Sequence, residues 1–69
     1  MKKSDLIALK NWLSRLNVLD SQNTDLIENA IYQCEINAHF ARRSLQALAD
    51  NLRRDGHHNE AEGVERLLK

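Results

Sequence analysis

Residues 24–55 read TDLIENAIYQCEINAHFARRSLQALADNLRRD. Apolar or small residues recur through this segment at alternating spacings of four and three, at Ile27, Ile31, Cys34, Ala38, Ala41, Leu45, Leu48 and Leu52. This spacing places all eight on one face of a helix, the apolar stripe. No proline or glycine interrupts the run. The pattern therefore predicts one helix over 24–55, roughly 45 Å long at about 1.5 Å per residue.

The sizes of the residues along the stripe favour pairing with a second copy of the same helix. Large residues lie at both ends and small ones in the middle, so an antiparallel copy would pair Ile27 with Leu52 and Ala38 with Ala41. The first half of the segment is acidic and the second half is rich in arginine, which also favours antiparallel pairing. We predict that the stripe is the seam of an antiparallel homodimer. The alternative is that it packs against other helices of its own chain.

The size of the chain supports oligomerisation independently. Its 69 residues make one small helical domain, residues 1–69, which is at the margin of what a single core stabilises. A single cysteine excludes an internal disulfide, and no spacing of cysteine and histidine resembles a structural zinc site.

Two shorter helices are predicted to flank the long one. Leucines repeat at helical spacing after Ser4, a suitable N-cap, and predict a helix at about 5–17. Gly56 is placed to end the long helix, and Asn59 is placed to cap a helix at about 59–68. Several residues between 20 and 24 could cap the long helix. The predicted fold is all-α, with three helices at about 5–17, 24–55 and 59–68. The outer two should pack on the two halves of the middle one.

Composition narrows the class of function. Ten basic and ten acidic residues cancel, which argues against a generic nucleic-acid binder held by phosphate contacts. No apolar segment is long enough to span a membrane, and the basic start lacks the apolar core of a signal peptide. A lone free cysteine suits a reducing compartment. We therefore expect a cytoplasmic protein that does not bind membranes.

No residue pattern points to catalysis or to a cofactor. Cys34 lies on the stripe, where a buried cysteine behaves as a small apolar residue. His57 and His58 are followed by two glutamates, but these are already explained as the acidic first turn of a helix. We predict no catalytic site, no metal site and no cofactor, and hence a protein that is not an enzyme.

One polar cluster is a candidate binding site. His39, Arg42, Arg43 and Gln46 recur at helical spacing on one part of the predicted long helix, with Phe40 and Tyr32 nearby. Such a cluster is often only a solvated or salt-bridged face. Its functional interpretations are a surface for an acidic protein and, less favoured, a surface for nucleic acid.

The segment LADNLRRDG at 48–56, with the size and helical character of the whole chain, resembles the small all-helical early-region proteins of lambdoid bacteriophages and prophages. The resemblance implies a protein of the bacterial cytoplasm that regulates through contacts rather than catalysis. We therefore expect a dimeric interaction protein that binds a host or phage protein. The alternative is an RNA- or DNA-binding regulator similar in plan to helical-hairpin dimers.

Overall fold

The computed structural model describes residues 1–69 and contains four helices. They are α1 (Lys3–Arg15), α2 (Ser21–Gln33), α3 (Ala38–Arg54) and α4 (His58–Arg66). The all-α class is confirmed, but the division into three helices is wrong, because the segment 24–55 contains a turn at 34–37. The longest dimension of the molecule is 31 Å, which is shorter than the helix that the sequence predicted.

Asn37 explains why the helix stops without proline or glycine. Its backbone is extended, with φ −148° and ψ 90°, and its side-chain oxygen accepts the backbone N–H of Phe40 at 3.2 Å. Asparagine is a preferred N-cap because this bond satisfies one of the unpaired N–H groups of a helix start. On the other side of the turn, the N–H groups of Ile36 and Asn37 both donate to the Gln33 carbonyl, at 3.0 and 2.6 Å. These bonds hold the turn on both sides of the bend.

The turn folds α2 and α3 into an antiparallel hairpin. The Asn29 amide donates to the Ser44 hydroxyl at 2.7 Å, and near the open end the Asn51 amide donates to the Asn23 side-chain oxygen at 3.2 Å. Asn23 is buried and its own amide donates to the Val18 carbonyl, so this internal polar group is satisfied.

The hairpin uses the apolar stripe inside one chain. Of the eight residues predicted for the dimer seam, Ile31 is half-buried and Ala38 is exposed. The other six are buried in the core of the single chain: Ile27, Cys34, Ala41, Leu45, Leu48 and Leu52. The structure thus has the intramolecular packing that the sequence left as the alternative. Residues buried in this way are not available to a second chain while the hairpin is intact.

The outer helices pack as expected on the two halves of the central segment. α1 contacts α2, and α4 contacts α3. An additional contact joins α1 to α4, because the bend brings the two ends of the chain together. Trp12 of α1 lies against Gly63 of α4 at this contact.

The helix ends differ in detail from the prediction. α1 begins at Lys3, so Ser4 lies inside the helix and does not cap it. α4 begins at His58, so Asn59 is likewise inside the helix. For α2 the capping residue is Asp20, whose carboxylate accepts the N–H of Asn23 at 2.8 Å.

Gly56 ends α3 as the sequence predicted. Its φ is +88°, in the left-handed region that glycine adopts readily. Its N–H donates to the Arg53 carbonyl at 3.1 Å, and the N–H of His57 donates to the Leu52 carbonyl at 2.8 Å. These two bonds form a Schellman motif, which satisfies the last carbonyls of the helix and turns the chain towards α4. None of the four helices is long and apolar enough to cross a membrane.

Candidate functional site

Four side chains predicted as a candidate site lie together on α3. Their separations of three, four and seven residues place them on the face opposite the buried side of the helix. With Leu68, which follows α4, they line an open groove of about 320 Å³. We call this the basic groove, and its residues are His39, Arg42, Arg43, Gln46 and Leu68.

The two arginines of the basic groove have no carboxylate partner. The Arg42 guanidinium donates to the backbone carbonyl of Leu68, and Arg43 is in no ion pair. Asp50, on the next turn of the helix, accepts a hydrogen bond from the Gln46 amide at 3.0 Å and does not pair with either arginine. The positive charge of the groove is therefore not neutralised by ion pairing within the chain.

The other arginine pair, Arg53 and Arg54, is engaged within the chain. Arg53 donates two hydrogen bonds to Glu65, at 2.8 and 2.9 Å, in a bidentate ion pair between α3 and α4. Arg54 lies 4.0 Å from the Asp55 carboxylate. The two pairs have the same residue type on the same helix but differ in whether their charge is already paired.

The bidentate pair shifts the titration of both partners. The hydrogen bonds from Arg53 lower the pKa of Glu65 below its ordinary value, and the same contact raises the pKa of Arg53. A carboxyl group whose pKa is lowered by folding stabilises the folded state at pH values above its unfolded pKa. That contribution is lost as the pH falls through the folded pKa.

We therefore expect Glu65→Gln to be slightly less stable than the wild type at neutral pH and equally stable at acid pH. The effect is small because the pair is solvent-exposed. Thermal unfolding of the wild type and of Glu65→Gln, from neutral to acid pH, measures the difference in stability. Glu62→Gln, on the same helix but without a hydrogen bond to arginine, is the control. A difference in stability that stays constant down to strongly acid pH would contradict the assignment.

Large apolar side chains are exposed beside the basic groove. Tyr32 at the end of α2, Ile36 in the turn and Phe40 at the start of α3 are 68, 67 and 50% exposed. We call these three residues the apolar corner. The ring of Phe40 lies 6.4 Å from that of His39, centroid to centroid, so the corner meets the groove at Phe40.

Sequence reasoning noticed Tyr32 and Phe40 but missed Ile36. The position of Ile36 in the sequence indicates an exposed side chain, because it falls between the stripe residues Cys34 and Ala38 and has no place on the buried face. Leu68 falls within the helix predicted at about 59–68, but it lies beyond the end of α4 and lines the groove. Both residues join the site only through the bend and the end of α4.

The remaining candidates have structural explanations. Cys34 is buried, and its thiol donates to the Ile31 carbonyl at 3.2 Å. The imidazole of His57 lies 4.0 Å from Glu60, and no group of three or more His, Cys, Asp or Glu side chains is placed to hold a metal ion. A second groove, of about 280 Å³, has lining charges of both signs and includes the Arg53–Glu65 pair.

Comparison of the chain with protein-family models, with curated proteins and with solved structures found no match. Function is therefore inferred from the basic groove and the apolar corner.

Proposed function

We propose that this chain is a non-enzymatic binding protein that takes a protein segment carrying both carboxylates and large apolar side chains. One observation carries the proposal. Three large apolar side chains, each at least half exposed, lie at or beside the turn before α3, and one of them, Phe40, adjoins a groove whose two arginines lack a carboxylate partner.

The apolar corner supplies the affinity in this proposal. Single exposed apolar residues are common on protein surfaces, but groups of them with a polar rim are typical of interaction sites. Tyr32 and Phe40 are the aromatic residue types that often dominate interface energetics. Burying a side chain such as Ile36 contributes roughly 1.5–3 kcal/mol.

The basic groove supplies the preference for acidic partners. A guanidinium matches a carboxylate with two parallel hydrogen bonds, which are stronger than bonds to a neutral carbonyl. Arg42 now donates to such a neutral carbonyl, that of Leu68, and Arg43 donates to no protein group. An aspartate or glutamate of the partner would give both arginines a better acceptor.

A protein partner explains the surface better than nucleic acid does. The chain has no net charge, and phosphate binding generally needs several clustered cations rather than two. Ile36, among the most exposed large apolar side chains, offers no flat ring on which a base could stack. Tyr32 and Phe40 do offer such rings beside arginines, so binding of unpaired RNA is the second candidate function.

The cellular setting in the proposal follows the sequence resemblance to lambdoid early-region proteins. We place the chain in the bacterial cytoplasm as a regulator that binds a host or phage protein. The absence of catalysis is part of this proposal.

We expect Arg42→Gln/Arg43→Gln to weaken binding of acidic-apolar peptides by at least tenfold, about 1.4 kcal/mol, because two charge-assisted contacts are removed. Peptides are first selected on the wild type from a random display library and then titrated by fluorescence anisotropy. Selected sequences should be enriched in Asp or Glu beside aromatic or aliphatic residues. Ile36→Ser should weaken binding of the same peptides. The helicity should be unchanged, because the Ile36 side chain is exposed.

The matched control is Arg53→Gln/Arg54→Gln, which removes the same charge from α3 but from arginines that are already paired. Equal losses from both double variants would mean a diffuse charge effect and would contradict the assignment of the groove. The nucleic-acid alternative would be favoured if no acidic peptides were selected and mixed-sequence RNA bound tightly, with an affinity that falls steeply with salt.

A further inference from the structure

The turn between α2 and α3 breaks the helix but not the periodicity of the apolar stripe. Ile31, Cys34, Ala38 and Ala41 keep spacings of three, four and three across the break. A loop that joins two helices in a fixed hairpin has no need to preserve this phase. The same residues would form one unbroken buried face if residues 34–37 became helical.

Little in the turn prevents that change. Residues 34–37 contain no glycine or proline, and Cys34 already has helical dihedral angles, φ −59° and ψ −30°. Glu35, Ile36 and Asn37 are exposed, so core packing does not fix the bend. The extended backbone of Asn37 and its bond to the Phe40 N–H mark the bend. A continuous helix would replace that bond with backbone hydrogen bonds.

We infer that two copies of this chain exchange halves by straightening residues 34–37 into a continuous helix. In the exchanged dimer, α1 and α2 of each copy pack on α3 and α4 of the other. The Asn29–Ser44 and Asn23–Asn51 hydrogen bonds and the contact of Trp12 with Gly63 re-form between chains. The partner on the apolar stripe is thus a second copy of the chain, as in domain swapping.

The energetics make this dimer dependent on concentration. Exchange re-forms the same core, so the balance between monomer and dimer rests on the hinge and on the entropy of association. The basic groove is built from α3 and Leu68, which stay together in each half. The inference therefore does not rest on the proposed binding function, although Ile36 of the apolar corner lies within the hinge.

Two hinge variants test the exchange in opposite directions. Asn37→Ala removes the cap that stabilises the bend in each of the two monomers, so the dimer should become favoured by at least tenfold. Ala38→Pro should abolish it, because proline inside a continuous helix removes a backbone hydrogen bond and clashes with the carbonyl four residues earlier. The monomer accepts this proline, since Ala38 is exposed, is the first residue of α3 and follows an extended residue.

Each protein is refolded from denaturant at high concentration, and its mass is measured by sedimentation equilibrium. Wild type should give some dimer, Asn37→Ala more, and Ala38→Pro none, with helical circular dichroism retained in all three. A solely monomeric Asn37→Ala variant would overturn the inference. Dimer formation by Ala38→Pro at the wild-type level would do so as well.

An intrachain distance separates exchange from ordinary association. Spin labels at Asp25→Cys and Asp50→Cys, both exposed sites, are introduced in a Cys34→Ala background and diluted with unlabelled chains. In the monomer the labels lie near each other across the hairpin. In the exchanged dimer, 25 residues of helix at about 1.5 Å each separate them by about 37 Å. A dimer that keeps the short distance would contradict the exchange.

Discussion

Ala41→Glu should unfold the chain, whereas Ala38→Arg should leave it folded. Ala41 is fully buried in the core, while Ala38 is exposed at the first position of α3. An unpaired carboxylate placed at residue 41 costs several kcal/mol through loss of hydration. A chain of this size has a total stability of only about 3–10 kcal/mol. Circular dichroism and thermal unfolding measure both variants.

This pair of substitutions also distinguishes the hairpin from the dimer seam that the sequence predicted. In a seam with both alanines at its centre, either substitution would disrupt the protein. In the folded-back chain only the substitution at residue 41 does so. Ala8→Glu, at an exposed position of α1, makes the same chemical change as a control and should be tolerated. Equal loss of structure in the Ala38 and Ala41 variants would contradict the hairpin.

Gly63→Ala should destabilise the protein by up to about 2 kcal/mol, although alanine is the better helix former. A Cβ atom at residue 63 would lie 2.6 Å from Cζ3 and 2.8 Å from Cη2 of Trp12. Overpacking of this kind typically costs about 1–3 kcal/mol. The gain in helix propensity, about 1 kcal/mol, offsets only part of it. Urea unfolding of the two proteins gives the difference in free energy.

The double variant Trp12→Phe/Gly63→Ala tests whether the loss of stability comes from contact with the Trp12 ring. Trp12→Phe removes the outer ring atoms that the new methyl group would meet. In that background Gly63→Ala should be neutral or stabilising, so the two substitutions should be strongly non-additive. If Gly63→Ala alone stabilises the wild-type protein, Trp12 does not pack on α4 as the structure has it.

The sequence predicted the buried face of the central segment better than its continuity. Stripe residues such as Leu45 and Leu52 are buried, because the period of a helix is a local property that survives the bend. The bend itself depends on one capping asparagine, whose contribution of about 1 kcal/mol is too small to read against a continuous pattern. Folding back also lets a single short chain cover its own stripe, and this tertiary gain is absent from a helical pattern.

For the candidate site too, local spacing was predictable from the sequence, whereas contacts that depend on the bend were not. Spacing alone predicted that Arg42 and Arg43 share a face, and the structure places them in one groove. The contribution of Leu68 depends on where α4 ends, so it could not be predicted. The position of Ile36 off the stripe predicts an exposed side chain, but its place near the groove depends on where the chain bends. The role of Gly63 could not be predicted from the sequence either, because it depends on a contact between α1 and α4 that only the hairpin creates.

The central claim is that the apolar stripe folds back on itself within one chain at residues 34–37. Backbone Cα secondary chemical shifts, measured by NMR on a dilute monomeric sample, test it most directly. We expect helical shifts over 21–33 and 38–54, with a non-helical value at Asn37. Helical shifts that continue without interruption from residue 24 to residue 55 in the monomer would contradict the claim.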